Sequence, residues 1–138
     1  MALRGVGVPR AGRGLGARGL SIESISAITL VIRDMASSIA FYRSLGFELA
    51  YGGPQASFTS LRGGRGFVNL TTGDAPARIP FWGRVIFHVD DVDAVYADVR
   101  AAGYEPEARP RDASWGERYF HVRDPDGHEL SIARPLLR

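Results

Sequence analysis

Two stretches of this chain repeat one another at a constant offset of 57 residues: Asp34–Glu48 and Asp91–Glu105. Asp34/Asp91, Ala40/Ala97, Arg43/Arg100, Gly46/Gly103 and Glu48/Glu105 are identical pairs, and Met35/Val92 and Phe47/Tyr104 are similar ones. Each copy follows an apolar, β-branched run, Ile28–Ile32 or Val85–Val89. A single such unit cannot cover its own apolar face, so the two copies must pack on one another. That requirement restricts the chain to folds built from a paired β-α-β unit.

The chemistry of each copy predicts the same elements. Asp34 and Asp91 can accept the free N–H groups of a first helical turn. Apolar residues then recur at helical spacing: Met35, Ile39, Tyr42 and Leu45, and Val92, Val95, Tyr96, Val99 and Ala102. Gly46 and Gly103 suit the left-handed position that ends a helix. Short strand-like segments follow, at Glu48–Tyr51, Ala56–Arg62 and Gly66–Thr71 in the first half, and Glu105–Arg109, Arg118–Arg123 and Glu129–Arg134 in the second. Gly52-Gly53-Pro54 and Gly63-Gly64 break the first set, and Asp124-Pro125-Asp126-Gly127 is a strong turn between the last two strands. His128, following that turn, is expected on the surface. The expected organisation is an α+β domain of tandem βαβββ modules over residues 25–135. Module 1 spans about 25–72, a Pro-containing linker 73–81, and module 2 about 82–135.

Composition fits one domain: 138 residues, of which 45% are hydrophobic. There is no cysteine, which removes disulfides, thiolate catalysis and Cys-zinc sites, and suits a reducing, cytoplasmic location. No run of about 18 apolar residues is present, so no membrane partner is expected. The net charge of +2 is uneven. Residues 1–24 carry four arginines against Glu23, and the remaining 13 arginines face 14 acids. The domain is therefore nearly neutral, and no nucleic-acid partner is expected. The Gly/Arg/Ala-rich tail of residues 1–24 lacks periodicity and reads as a disordered, dispensable extension. Its Arg-rich, acid-poor composition would also suit an organelle transit peptide or a weak nucleic-acid contact.

Four phrases, in this order, resemble the vicinal-oxygen-chelate superfamily of glyoxalase I, bleomycin-resistance proteins and extradiol dioxygenases. They are Thr29-Leu-Val-Ile-Arg-Asp-Met, Ala40-Phe-Tyr-Arg-Ser-Leu-Gly-Phe, Phe87-His-Val-Asp-Asp-Val-Asp-Ala and Phe120-His-Val-Arg-Asp-Pro-Asp-Gly-His-Glu-Leu. The resemblance implies eight strands curled around a cavity, usually closed by a homodimer. It also implies a divalent metal held by one residue from the first and last strand of each half, usually His, Gln or Glu. Carried over, those places fall on Ala27, Asn69, Arg84 and Ser131. Ala27 has no donor atom, and Arg84 is a permanent cation that repels a metal. Asn69 and Ser131 offer only neutral oxygens, which are weak ligands for zinc or nickel. No metal and no cofactor are therefore expected.

Strand alternation then assigns cavity-lining side chains. With Arg84 inward, Trp82, Ile86 and His88 share its face, while Val85, Phe87 and Val89 pack under the helices. Asn69 and Ser131 take the cavity face of the last strands, and His121 that of the seventh. Phe58 and Trp115 complete the candidate ligand-binding set of Trp82, Arg84, His88, Asn69, Phe58, Trp115, His121 and Ser131. Arg84 suits a carboxylate or phosphate through its planar fork, or pairs with Glu129. The tryptophans suit a flat ligand, or serve core and interface. His88, His121 and Glu129 could form a non-standard metal site, but hydrogen-bonding histidines are the commoner case. There is no nucleophile motif, no phosphate-cradling loop (Gly63-Gly64-Arg65-Gly66 reads as a hairpin) and no paired-carboxylate signature, so no catalytic residue is assigned.

The expected function is metal-independent binding of a small, aromatic or anionic molecule, such as drug sequestration of the bleomycin-resistance kind. The alternatives are a glyoxalase-type or dioxygenase-type enzyme with displaced metal ligands, and an interaction domain with a vestigial cavity.

Overall fold

Both helices form where the repeat puts their caps. In the computed structural model, which describes residues 21–137, α1 spans Met35–Ser44 and α2 spans Val92–Ala101. Asp34 Oδ1 accepts the Ser37 N–H at 3.3 Å, and Asp91 Oδ1 accepts the Ala94 N–H at 3.0 Å. Gly46 and Gly103 end the helices at φ +108° and +99°, a conformation that side-chain-bearing residues rarely adopt. The expectations for residues 1–20 of the tail lie outside the described residues.

The strands are β1 (Ala27–Ile32), β2 (Glu48–Tyr51), β3 (Phe58–Gly63), β4 (Gly66–Thr72), β5 (Arg84–His88), β6 (Arg111–Ala113), β7 (Glu117–Arg123) and β8 (Glu129–Pro135). They form two mixed four-stranded sheets of identical topology, β1-β4-β3-β2 and β5-β8-β7-β6. The first and last strands of each module run parallel, with Ala27 beside Phe67 and Arg84 beside Glu129. The chain thus has the expected tandem βαβββ fold, with its eight strands divided between two sheets that do not close on one another.

One expected strand moved. Glu105–Arg109 is not a strand; β6 begins only at Arg111. Pro106 lies within that segment and Pro110 follows it, and neither has an N–H to donate to a ladder. One backbone bond, from the Glu107 N–H to the His121 carbonyl at 2.9 Å, ties it to β7 in place of a ladder. The third strand likewise starts at Phe58, two residues later than Ala56.

Alternation sorts the sheets into a core face and an open face. Leu30, Ile32, Leu61, Val68 and Leu70 bury themselves under α1, and Phe120, Val122, Leu130 and Ile132 under α2, in one continuous core. Aromatic edges join the modules across it: Phe41 meets Tyr104 at 4.9 Å between ring centroids, and Phe47 meets Phe87 at 5.1 Å. Such pairs contribute about 0.5–1.5 kcal/mol each beyond their buried area. Phe47 also explains Gly63, because a Cβ there would lie 2.3 Å from the Phe47 ring.

The Asp124–Gly127 turn is not a surface loop. Asp124 and Asp126 are each 4% exposed, and His128 is 3% exposed, which corrects its expected surface position. The turn docks into module 1. Asp124 Oδ2 accepts the Tyr42 hydroxyl at 2.8 Å, while Asp124 Oδ1 accepts the backbone N–H groups of Asp126 and His128. Asp126 Oδ1 accepts the Arg33 N–H at 3.1 Å, and its Oδ2 accepts the Ser38 hydroxyl at 3.4 Å. Burial raises the pKa values of both Tyr42 and Asp124, and Asp124 adds to the rise at Tyr42. The turn motif therefore works as a polar clamp between the two modules, its buried groups satisfied as burial requires.

Candidate functional site

The open face of the second sheet carries most of the candidate residues, and the hydrogen-bond register sets them in rows. Arg84, Glu129 and Arg123 lie side by side across β5, β8 and β7; Ile86, Ser131 and His121 form the next row, and His88, Ala133 and Tyr119 the one after. In the first sheet, Thr29, Asn69 and Ser60 form the corresponding row.

Arg84 is the organising charge. Its Nε donates to Glu129 Oε2 at 2.7 Å, and its Nη2 makes an ion pair with the same oxygen. Glu129 is shared, because Arg123 Nη2 lies 3.5 Å from its other oxygen. His121 Nδ1 stands 3.8 Å from Glu129 and 3.4 Å from Glu107. Burial and then the Arg84 charge lower the His121 pKa, against the pull of Glu107 and Glu129. The pairing of Arg84 with Glu129 fits the second sequence reading of that arginine, and it leaves Nη1 outside the pair.

A second cluster sits at the other end of the face. Trp115 Nε1 donates to Glu117 Oε1 at 3.0 Å, and the Trp115 ring lies over Tyr119 with centroids 5.6 Å apart. The Arg111 guanidinium stacks on Tyr119 at 4.4 Å. His88 Nε2 is 3.7 Å from Glu117 Oε2. His88 and His121 thus answer to different carboxylates rather than meeting in one site. Trp115, 69% exposed, stands on the β6–β7 hairpin as an open ledge rather than a pocket wall.

Trp82 does not share the face of Arg84. It precedes β5, and its indole N–H donates to His128 Nδ1 at 2.8 Å. An indole nitrogen only donates, so Nδ1 accepts and Nε2 holds the ring proton that is given to the Val31 carbonyl, 2.8 Å away. Strand alternation from Arg84 fails here because residue 82 lies outside the ladder, next to Gly83 at φ +147°. In the first sheet, Phe58 is 39% exposed and packs near Tyr51, and Asn69 Nδ2 donates to Thr29 Oγ1 at 3.3 Å.

The four family ligand places do not form a donor set. Ala27 and Arg84 line one cavity of about 440 Å³ between the edges of β1 and β5, with Phe67, Ile86 and Phe87 among its walls. Asn69 and Ser131 are not part of its lining, and Ser131 is 2% exposed. The cation at residue 84 and the methyl group at residue 27 do not fit a divalent metal. Among the described residues, no three His, Asp or Glu side chains converge at metal-binding distance.

Glu107, Glu117, Arg111 and Arg123 complete these clusters and are absent from the sequence-derived set. Arg123 had a signal: the five-residue Asp124–His128 turn puts it opposite Glu129 in the hairpin. Glu107 had none, because its segment is not a strand. No helix among the described residues is long and apolar enough to cross a membrane.

The model of the Glyoxalase/Bleomycin resistance protein/Dioxygenase superfamily matches residues 24–132. An uncharacterised protein of Mycolicibacterium smegmatis is 31% identical over 121 residues, covering 86% of this chain and 100% of the relative. TioX from Micromonospora sp. ML1 superposes with a TM-score of 0.68 at 28% identity, covering 83% of this chain and 100% of that one. The bleomycin resistance determinant encoded on transposon Tn5 superposes at 0.67 with 24% identity, over 83% and 100%. That last likeness is one of fold alone.

Proposed function

The chain belongs to the glyoxalase/bleomycin resistance protein/dioxygenase superfamily, and from that premise we propose that it is a metal-independent small-molecule-binding member. One observation carries this reading. The two equivalent first-strand positions share a cavity wall, and they hold a methyl group and a guanidinium tied to Glu129. A superfamily cavity with these side chains keeps apolar walls and a placed charge, the usual makeup of a ligand pocket, but not the means to bind a Lewis acid. Sequestration of a drug or antibiotic is the form of binding the reading favours. The near-neutral domain argues against a highly cationic drug as the ligand.

The binding form is proposed to be a cytoplasmic homodimer. Ile25 and Ile86, 86% and 56% exposed at the rim of the β1–β5 cavity, and Phe81, 62% exposed with its ring 5.6 Å from the Arg84 guanidinium, give an apolar surface that a second copy would cover while closing the cavity over its ligand. Sedimentation equilibrium giving a monomer at micromolar concentration would remove the dimer.

Thermal unfolding of the full chain separates binding from metal chemistry. Zinc, nickel, manganese and iron(II) should leave the midpoint unchanged, and at least one member of a panel of aromatic antibiotics should raise it. Stoichiometric metal in the purified protein, or stabilisation by one of these ions, would return the chain to the metal-dependent enzymes.

A further inference from the structure

The charge beside the β1–β5 cavity narrows the ligand, on the premise that this cavity binds a small molecule. We propose that the ligand is an apolar monocarboxylic acid, seated between β1 and β5 with its carboxylate on the Arg84 guanidinium.

Three features point to that class. The cavity, about 440 Å³, is walled by Ala27, Phe67, Val85, Ile86 and Phe87, and Arg84 is the charged side chain in its lining. Its volume lies within the range of about 300–1,000 Å³ typical of ligand sites. Second, the hold of Glu129 on Arg84 uses Nε and Nη2 and leaves Nη1 for a ligand oxygen. The pair fixes the guanidinium in place before a ligand arrives, so little side-chain freedom is lost on binding. Third, Glu129, with a side chain only 12% exposed, is shared between Arg84 and Arg123, so its charge is divided and does not belong to Arg84 alone.

The walls decide between anions. A single guanidinium in an apolar slot suits a monoanion, one oxygen of which can accept from Nη1. A phosphate dianion would need a second cation, and Arg84 is the one charged side chain in the lining. The body of the ligand, an aryl ring or short acyl chain, lies against Phe67 and Ile86.

Isothermal titration of the full chain with 4-phenylbutyrate and octanoate, beside 4-phenylbutyramide and octanamide, tests the proposal. An acid should bind at least about ten-fold more tightly than its isosteric amide, since a charge-assisted bond replaces a neutral one. Arg84→Gln should abolish that preference, and Arg84→Lys should restore part of it. Amides that bind as well as acids, or undiminished acid binding in Arg84→Gln, would overturn the assignment. Should Arg84→Gln, which takes from Glu129 its nearest partner, fail to fold, Arg84→Gln/Glu129→Gln removes both charges, and the acid–amide comparison on the native chain still decides. If neither acids nor amides bind, the proposal fails. Aromatic antibiotics that still raise the unfolding midpoint would then show that small-molecule binding survives without it.

Discussion

The two modules share a topology and a repeat, but they use it differently. Helix α1 buries five side chains, Met35, Ser38, Ile39, Phe41 and Tyr42, whereas α2 buries only Val92 and Val99. The same division runs through the sheets. The open face of module 1 is held by light contacts such as Asn69 to Thr29, while that of module 2 carries the shared Arg84–Glu129–Arg123 cluster and the Trp115–Tyr119–Arg111 stack. Two scaffolds of one topology thus carry different loads, with the more deeply buried helix in module 1 and the denser charged face in module 2.

Equivalent helix positions offer the sharpest way to break that comparison. Tyr42 and Val99 occupy the same place in the repeat, and both are fully buried. Tyr42→Ala should cost about 3–5 kcal/mol, through a large cavity and loss of the bond to Asp124, whereas Val99→Ala should cost about 2 kcal/mol. Equal losses in urea unfolding would mean that the modules share the load evenly.

A smaller change isolates the clamp. Tyr42→Phe keeps the ring and removes only the hydroxyl that reaches Asp124, leaving a buried carboxylate oxygen without that donor. It should destabilise by about 1–3 kcal/mol. A cost near zero would show that the inter-module clamp contributes shape rather than stability.

The smallest expected effect probes the charged face. Burial and Arg84 hold the His121 pKa below its ordinary value. The unfolded chain therefore takes up the proton first. The stability that neutral His121 contributes is present above about pH 6.5 and is lost as pH falls below it. His121→Gln should flatten the fall in urea midpoint between pH 8 and pH 5.5. An unchanged slope would show that His121 does not carry the pH response.

Much of this was legible in the residues themselves. The offset of 57, the aspartate caps, the terminal glycines and the alternation of apolar side chains are local signals, and they gave both helices, seven of the eight strands and the core face of each sheet. The poor fit of Ala27 and Arg84 for a metal was equally readable, because it depends on side-chain chemistry rather than on position. What could not be read was which distant groups would meet. Arg84 and Glu129 stand 45 residues apart, Trp82 and His128 46, and His128 and Val31 97. A turn motif with two aspartates looks solvated in sequence, yet packing set it against Tyr42, Arg33 and Ser38. The sequence by itself determined the paired βαβββ scaffold and the unsuitability of Ala27 and Arg84 as metal ligands, since both follow from local periodicity and residue type. Only the tertiary structure decided that His128 is buried, that Trp82 leaves the open face and that Glu129 serves two arginines. Each of these depends on long-range burial, where a polar group must take whatever partner the fold brings within reach.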